Sequence, residues 1–206
     1  MTGTPVGLAE RPCVLLGAGG HAKVVADVAL AMGVRIMGVC DPVLAREGVK
    51  RWQNLDVLGG DDFLSSLSPD EVLLLNGVGY MPGSSVRAEL FRRQSEAGFC
   101  FQPLIHPSAW VSASAVLEDG VQVMAGAVVQ AGVRLGANSI LNTRSSLDHD
   151  CLVGASVHVA PGVTVCGNVR IDDLAFIGAG ATIIQGVHVG ANGFVKAGTT
   201  VSRDLV

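Results

Sequence analysis

The stretch "LDHDCLVGASVHVAPGVTVCGN" (residues 147–168) decides the fold. Every sixth residue in it is a branched aliphatic: Leu147, Val153, Val159 and Val165. The same step runs back through Leu141, Leu135, Val129, Val123, Leu117 and Val111, and forward through Ile171, Ile177, Ile183, Val189, Val195 and Val201. All sixteen positions are Val, Leu or Ile, no insertion breaks the register, and Ile105 extends the series backward. A period of six matches neither an α-helical face nor the alternation of a half-buried strand. It matches a hexapeptide β-helix, in which each hexad is a short strand plus a turn. Three hexads close a triangular coil with the aliphatic residue pointing inward. The residue four further on is mostly small (Ala115, Ala127, Ser139, Ser145, Ala175, Ala181), as a tight corner requires. Residues 106 to 206 make five coils and a fraction, a prism about 25 Å long at a strand spacing of ~4.8 Å.

This geometry also predicts neighbours, because residues eighteen apart stack on successive coils. The quoted stretch carries His149, flanked by Asp148 and Asp150, and His158 nine residues on. The residue stacked after His149 is Gly167. A glycine there removes the side chain beside the histidine and leaves a reachable backbone N–H. Asp148 falls at an outward repeat position and is assigned no chemistry. Cys151 falls at an ordinary small corner position, so it reads as a packing residue and not as a nucleophile. His106 and His188 read as surface or turn residues.

The 206 residues fit one or two small domains. A net charge of −4 leaves no basic footprint for nucleic acid. With 49% hydrophobic and 16% charged residues the chain is too apolar for disorder. Cys13, Cys40, Cys100, Cys151 and Cys166 are odd in number and include no C-x-x-C, so they read as reduced thiols of a cytosolic protein. The first eleven residues, "MTGTPVGLAER", lack a basic segment followed by an apolar one, and no signal peptide is expected. No charge-free apolar run reaches the ~18 residues of a membrane helix. The expectation is a soluble cytoplasmic protein.

Upstream of the repeat, "PCVLLGAGGHAKVVADVALAMGVRIMGVCD" (12–41) reads as strand, glycine loop, helix and strand. The strands are placed at 14–16 and 35–39 and the helix at 21–32. "EVLLLNGVG" (71–79) reads as a third strand, "SSVRAELFRRQSEAG" (84–98) as a helix capped by Ser84 or Ser85, and "FCFQPLI" (99–105) as a last strand. Alternating strands and helices predict a small parallel α/β domain over 1–104, followed by the β-helix over 105–206. Gly17, Gly19 and Ala22 fit G-x-G-x-x-A between strand and helix, with Asp41 at the next strand end, which is the dinucleotide fingerprint. A tight strand-to-helix turn is the alternative reading of these glycines. About a hundred residues hold only half of a dinucleotide fold. Half a unit suits one nucleotide, such as a nucleotide-activated sugar, with its phosphates at the helix N-terminus. Base specificity is expected around Asp41 and Gly77 to Tyr80, at the carboxyl ends of the strands.

The two parts together resemble a family of bacterial sugar acyltransferases. It is typified by sialic acid O-acetyltransferases and by N-acetyltransferases acting on nucleotide-linked 4-amino-4,6-dideoxy sugars, among them the bacillosamine-pathway and GDP-perosamine enzymes of cell-surface polysaccharide biosynthesis. The carriers are "GAGGHAKVV" (17–25), "NGVG" (76–79), "IHPSA" (105–109), "LNTRSSLDHD" (141–150) and "VHVAPGVTVCGNVRI" (157–171). The resemblance implies a Rossmann-like domain before a left-handed β-helix, a homotrimer with active sites between subunits, acetyl-CoA as donor, and no metal. It implies His149 as general base, Asp150 as the residue that orients it, His158 at the thioester end of acetyl-CoA, and the Gly167 N–H at the acetyl oxygen. It places Gly178, Ala179, Ala197 and Gly198 along the CoA, and Gly17, Gly19, Gly20, His21, Asp41, Gly79 and Asn142 around the nucleotide sugar. Family members continue into a G-x-P-A segment that helps hold CoA, whereas this sequence reads "TTVSRDLV" at 199–206.

The chemistry that follows is acetyl transfer to the 4-amino group of such a sugar. O-acetylation of a sialic-type sugar is the runner-up. A metal-dependent hexapeptide protein of the γ-carbonic anhydrase type would need three converging histidines, where only His149 and His158 are expected near each other. A non-catalytic nucleotide-sugar-binding module would bind the sugar without releasing thiol. An NAD enzyme would need the missing second nucleotide half.

Overall fold

The structure is a computed structural model and describes residues 11–206. The reading of residues 1–11 as lacking a leader therefore falls, Arg11 apart, outside the described residues. The chain divides into two compact units, Met1–Gln102 and Pro103–Val206.

The first unit is built on a five-stranded sheet in the order β3-β4-β2-β1-β5. Its strands are β1 (Cys13–Leu16), β2 (Ile36–Cys40), β3 (Arg51–Trp52), β4 (Leu55–Gly59) and β5 (Leu73–Asn76). β1 pairs in parallel with both β2 and β5, and all four of its residues are buried, as expected of a strand in a sheet covered on both sides. Helix α1 (Gly20–Ala31) joins β1 to β2, and Ala22, Val25, Val28 and Ala29 make its buried face. A short helix α2 (Pro42–Arg46) and the antiparallel β3–β4 hairpin follow. The hairpin extends the sheet beyond the strand, helix and strand pattern, and Gln53 adopts φ +50 at its tip. Helix α3 (Val86–Glu96) starts after Ser85, whose hydroxyl bonds Glu89 and not a backbone N–H. Residues 99–105 do not form one strand. Phe101 makes a single bridge to Leu74, while Leu104–Ile105 pair with Gln122–Val123 and so belong to the second unit.

The second unit stacks parallel sheets as in a left-handed β-helix. Each two-residue strand ends on one of the aliphatic positions identified above. One face holds Trp110–Val111, Val128–Val129, Ser146–Leu147, Thr164–Val165, Thr182–Ile183 and Thr200–Val201. A second holds Val116–Leu117, Arg134–Leu135, Leu152–Val153, Arg170–Ile171 and His188–Val189. The third begins at Leu104–Ile105 and passes through Ile140–Leu141, His158–Val159, Phe176–Ile177 and Phe194–Val195. Pairing joins residues eighteen apart, as in Val128 to Ser146 and Ser146 to Thr164. Leu147, Val159, Val165, Ile177 and Ile183 are completely buried along the axis.

Between faces the chain turns sharply. Non-glycine residues hold left-handed φ values at these corners, among them Asn138, Asp150, Ser156, Asn168 and Asn192. Asparagine and aspartate tolerate that region best, because a short polar side chain bonds locally. Asn138 also donates to Ser156 Oγ one coil on, at 2.9 Å. Stability therefore rests on the axial aliphatic column plus short corner ladders. Replacing Ile177, which is wholly enclosed by neighbouring coils, leaves a cavity with nothing to collapse into it. Ile177→Ala should cost about 2–5 kcal/mol, read as a lowered urea midpoint.

Candidate active site

His149 lies on the corner between the first and second faces. Asp148 Oδ1 accepts the His149 N–H at 2.8 Å, which closes the turn that carries the ring. Asp150, at φ +60, brings its carboxylate back so that Oδ2 lies 2.9 Å from His149 Nδ1. An ionised carboxylate only accepts, so Nδ1 carries the proton and Nε2 keeps its lone pair. The hydrogen bond to Asp150 raises the His149 pKa above the ordinary histidine value. Slight desolvation opposes this, and the charges of Asp148 and Asp150 add to it. The ring is half exposed.

The stacking neighbour of this ring is Gly167. A Cβ built there would lie 2.6 Å from His149 Nε2, so only a glycine leaves the ring its place. The Asn168 N–H donates to the His149 carbonyl at 2.9 Å and fixes the two coils in register. Among the described residues no acceptor takes the Gly167 N–H. One coil earlier, Gly132 makes the matching allowance for Asp150, because its Cβ would meet Oδ1 at 2.5 Å. Gly132 was not singled out from the sequence. Counting eighteen back from Asp150, instead of only forward from His149, would have found it.

His158 lies elsewhere. It occupies the third face, opposite the corner that carries His149, with its ring stacked on Phe176 at 5.0 Å and 11°. Phe176 stacks in turn on Phe194. The expectation that His149 and His158 are near each other therefore does not hold within one chain: nine residues carry the strand half-way round the prism. Gly178, Ala179, Ala197 and Gly198 gather beside the third face, at its corner with the first. Gly198 donates to the Ala179 carbonyl at 2.8 Å, and Ala179, Ala197 and Gly198 are exposed. Asn142 opens the same corner lower down, its Oδ1 accepting the Thr143 N–H at 2.8 Å. Among the described residues no three His, Cys, Asp or Glu side chains are grouped to hold a metal ion, and no helix is long and apolar enough to cross a membrane.

The remaining polar residues are largely structural. Cys151 is fully buried, its thiol points at the Cys166 carbonyl, and burial pushes its pKa up, all of which suits packing. His106 Nδ1 accepts the Ser108 N–H at 3.0 Å in a turn. His188 does more than turn the chain. Its Nε2 is 2.7 Å from Asp172, which Arg170 also holds, and the Asp172 pKa is lowered by Arg170 and then by His188.

In the first unit, Gly17 turns the chain at φ +85 directly after β1. Gly19 caps α1, which carries no side-chain cap and no acid in its first turn. Open space lies above Gly19 and Gly20. N–H groups at a helix N-terminus in that setting can donate to an anion. A Cβ on Gly79 would touch His21 Cβ at 3.2 Å, so the loop after β5 lies against the start of α1. A cavity of about 310 Å³ is lined by Gly17, Asp41, Asp61, Val78 and Arg93 among others. Asp41 reaches it, but Oδ2 accepts the Ala18 N–H at 2.9 Å, and Oδ1 accepts those of Val43 and Leu44. Its carboxylate thus braces the glycine loop against α2.

Residues 13–93 match the family model described as the PglD N-terminal domain, and residues 168–203 that of the hexapeptide repeat of succinyl-transferase. The chain is similar to UDP-N-acetylbacillosamine N-acetyltransferase of Bacillus subtilis, 38% identical over 113 residues, which are 54% of this chain and 50% of that protein. It spans half the length or less of the curated relatives it matches. Solved structures are similar over nearly the whole chain. The acetyltransferase domain of PglB from Neisseria gonorrhoeae, in complex with acetyl coenzyme A, superposes with a TM-score of 0.86 at 36% identity, covering 95% of this chain and 92% of that one. A histidine-to-asparagine mutant of perosamine N-acetyltransferase from Caulobacter crescentus, in complex with CoA and GDP-perosamine, gives the same score and identity, covering 96% and 91%.

Asp150 is the largest influence on His149 and acts by raising its pKa. Asp150→Asn should therefore lower the imidazole pKa, measured by NMR titration of the ring protons. An unchanged value would mean that the pair is not formed in solution.

Proposed function

The chain belongs to the family of bacterial sugar acyltransferases that join a PglD-type domain to a hexapeptide β-helix, and from that premise we propose that it transfers acetyl from acetyl-CoA to the 4-amino group of a nucleotide-linked 4-amino-4,6-dideoxy sugar. The observation that carries this reading is the His149–Asp150 pair with Nε2 held over Gly167. Two similar structures support it, one holding acetyl coenzyme A and the other CoA with GDP-perosamine. We place the activity in the cytoplasm, where the five free cysteines stay reduced.

An amine that attacks a thioester carbon must lose a proton as the N–C bond forms and the C–S bond breaks. His149 Nε2 takes that proton, and Asp150 supports the resulting imidazolium without itself becoming protonated. The thiolate of CoA leaves and is protonated in turn. The Gly167 N–H donates to the oxygen on which negative charge grows, worth ~3 kcal/mol in a preorganised site. No covalent enzyme intermediate is required, since holding the two substrates together supplies much of the acceleration. His158 meets the thioester end of acetyl-CoA. The small exposed residues Ala179, Ala197 and Gly198 leave a shelf for the rest of that molecule. The open N-terminus of α1 takes the sugar's phosphates.

His149 and His158 lie on opposite sides of one prism, so the site needs two copies of the chain. One presents the His149 corner and its neighbour the third face, as a three-fold assembly provides.

Thiol release from acetyl-CoA tests the reading, with UDP-, GDP- and dTDP-linked 4-amino-4,6-dideoxy sugars and free and CMP-linked sialic acid as acceptors. Release with one amino sugar is expected, falling about 10²–10⁴-fold in His149→Ala. Release with sialic acids alone would establish O-acetylation. Folded protein that binds a nucleotide sugar and releases no thiol would establish a binding module.

The base works only when unprotonated, and its pKa is raised, so the acid limb of kcat/KM should lie above that of an ordinary histidine. Asp150→Asn should move that limb to lower pH while reducing the maximum rate. A limb unmoved by the substitution would assign the titration to another group.

A further inference from the structure

Arg87 is the second residue of α3 and is only 2% exposed. A cation is poorly placed there on two counts: the interior disfavours charge, and the first turn of a helix is its positive end. Burial pulls its pKa down to about 9, which still leaves it charged at neutral pH. What the guanidinium grips is specific. Nη1 donates to the Asn76 carbonyl at 3.0 Å and to the Val78 carbonyl at 2.7 Å, on either side of Gly77. Asn76 is equally buried and returns the contact, its Nδ2 donating to the Arg87 carbonyl at 3.2 Å. Asn76 Oδ1 accepts the Val78 N–H at 3.2 Å. The Gly77 N–H closes onto Leu16 at the end of β1. The loop after β5 is thus clamped from below at three successive residues. Of the loop, Val78 lines the 310 Å³ cavity and there meets the glycine turn: a Cβ on Gly17 would lie 3.2 Å from Val78 Cγ2.

We propose that Arg87 is a positioning residue for the nucleotide sugar, holding the 76–79 loop against the glycine turn so that the cavity keeps its shape before substrate arrives. This rests on the reading of the first unit's glycine turn as the nucleotide-sugar site, and takes the cavity that Gly17 and Val78 line as part of it. Arg87 is buried beneath the loop and acts through it, without touching the substrate. Preorganisation of this kind appears in substrate affinity and not in the chemical step, which takes place on the other unit. Lysine keeps the charge and loses the planar fork.

The test compares wild type with Arg87→Lys and Arg87→Met. KM is measured for the amino-sugar nucleotide and for acetyl-CoA, with kcat, and amide hydrogen exchange is followed at residues 77–79. The expected result is a KM for the nucleotide sugar raised about tenfold in Arg87→Lys and further in Arg87→Met. The KM for acetyl-CoA and kcat should hold, while exchange at 77–79 becomes faster. If Arg87→Met does not fold, Arg87→Lys decides. A folded Arg87→Lys with unchanged nucleotide-sugar KM and unchanged exchange would overturn the proposal and leave the cavity reading standing. So would a loss of kcat alone in proportion to the folded fraction. Wild type that shows no calorimetric binding of any nucleotide sugar would overturn both.

Discussion

Everything in the second unit depends on one packing constraint: a branched aliphatic side chain must fill the prism axis once every six residues. Eighteen residues make a coil, and Leu147, Val165 and Ile183 on one face bury themselves in line. A one-residue slip would turn that column outward, so register is specified along the whole length. The corners follow from the column. They are tight because the faces are only two residues wide, and so most fall to glycine or to short polar residues in the left-handed region, Arg144 and Leu174 excepted. Asp150 occupies one such position. The backbone geometry that closes the coil is the same geometry that turns its carboxylate onto His149.

A rigid scaffold suits the proposed chemistry. Proton transfer from an amine needs a base within hydrogen-bond reach, and a small misplacement costs rate steeply. Here the ring is held through its own N–H by Asp148, through Nδ1 by Asp150, and by the absence of a side chain at Gly167. The first unit applies a similar device to a different end. Arg87 and Asn76 hold a loop, and Asp41 holds the glycine turn against α2. In both units the residues that shape a site are largely spent on the backbone, and few side-chain atoms remain for the ligand.

Much of this was legible from residues 147–168 and their period. The aliphatic series gave the β-helix, and the eighteen-residue rule placed Gly167 beside His149 without any structure. The same rule, run backward, would have yielded Gly132. Other features left no periodic trace. The β3–β4 hairpin turns at Gln53–Asn54 and not at an Asn-Gly pair, so no turn signal marked it. Asp41 stands at a strand end as the fingerprint expects, and the N–H groups of Ala18, Val43 and Leu44 that it accepts become visible only in three dimensions. Arg87 lies among other arginines in a helix, and nothing in that run distinguishes the buried one. His149 and His158 stand on different sides of one chain's prism, which their closeness in sequence does not announce. Nine residues are half a coil, which is the far side of the prism.

That last point makes the central claim open to a direct test: a working site requires His149 from one copy and His158 from another. The measurement is complementation between two inactive variants, His149→Ala and His158→Ala, co-expressed with different tags and purified as mixed assemblies. Each mixed interface of one orientation carries both native histidines. Thiol release should then recover to roughly a third of the wild-type rate, since every mixed trimer has one such interface in three. Mixed assemblies as inactive as either parent would mean that both histidines act from a single chain, contradicting the account.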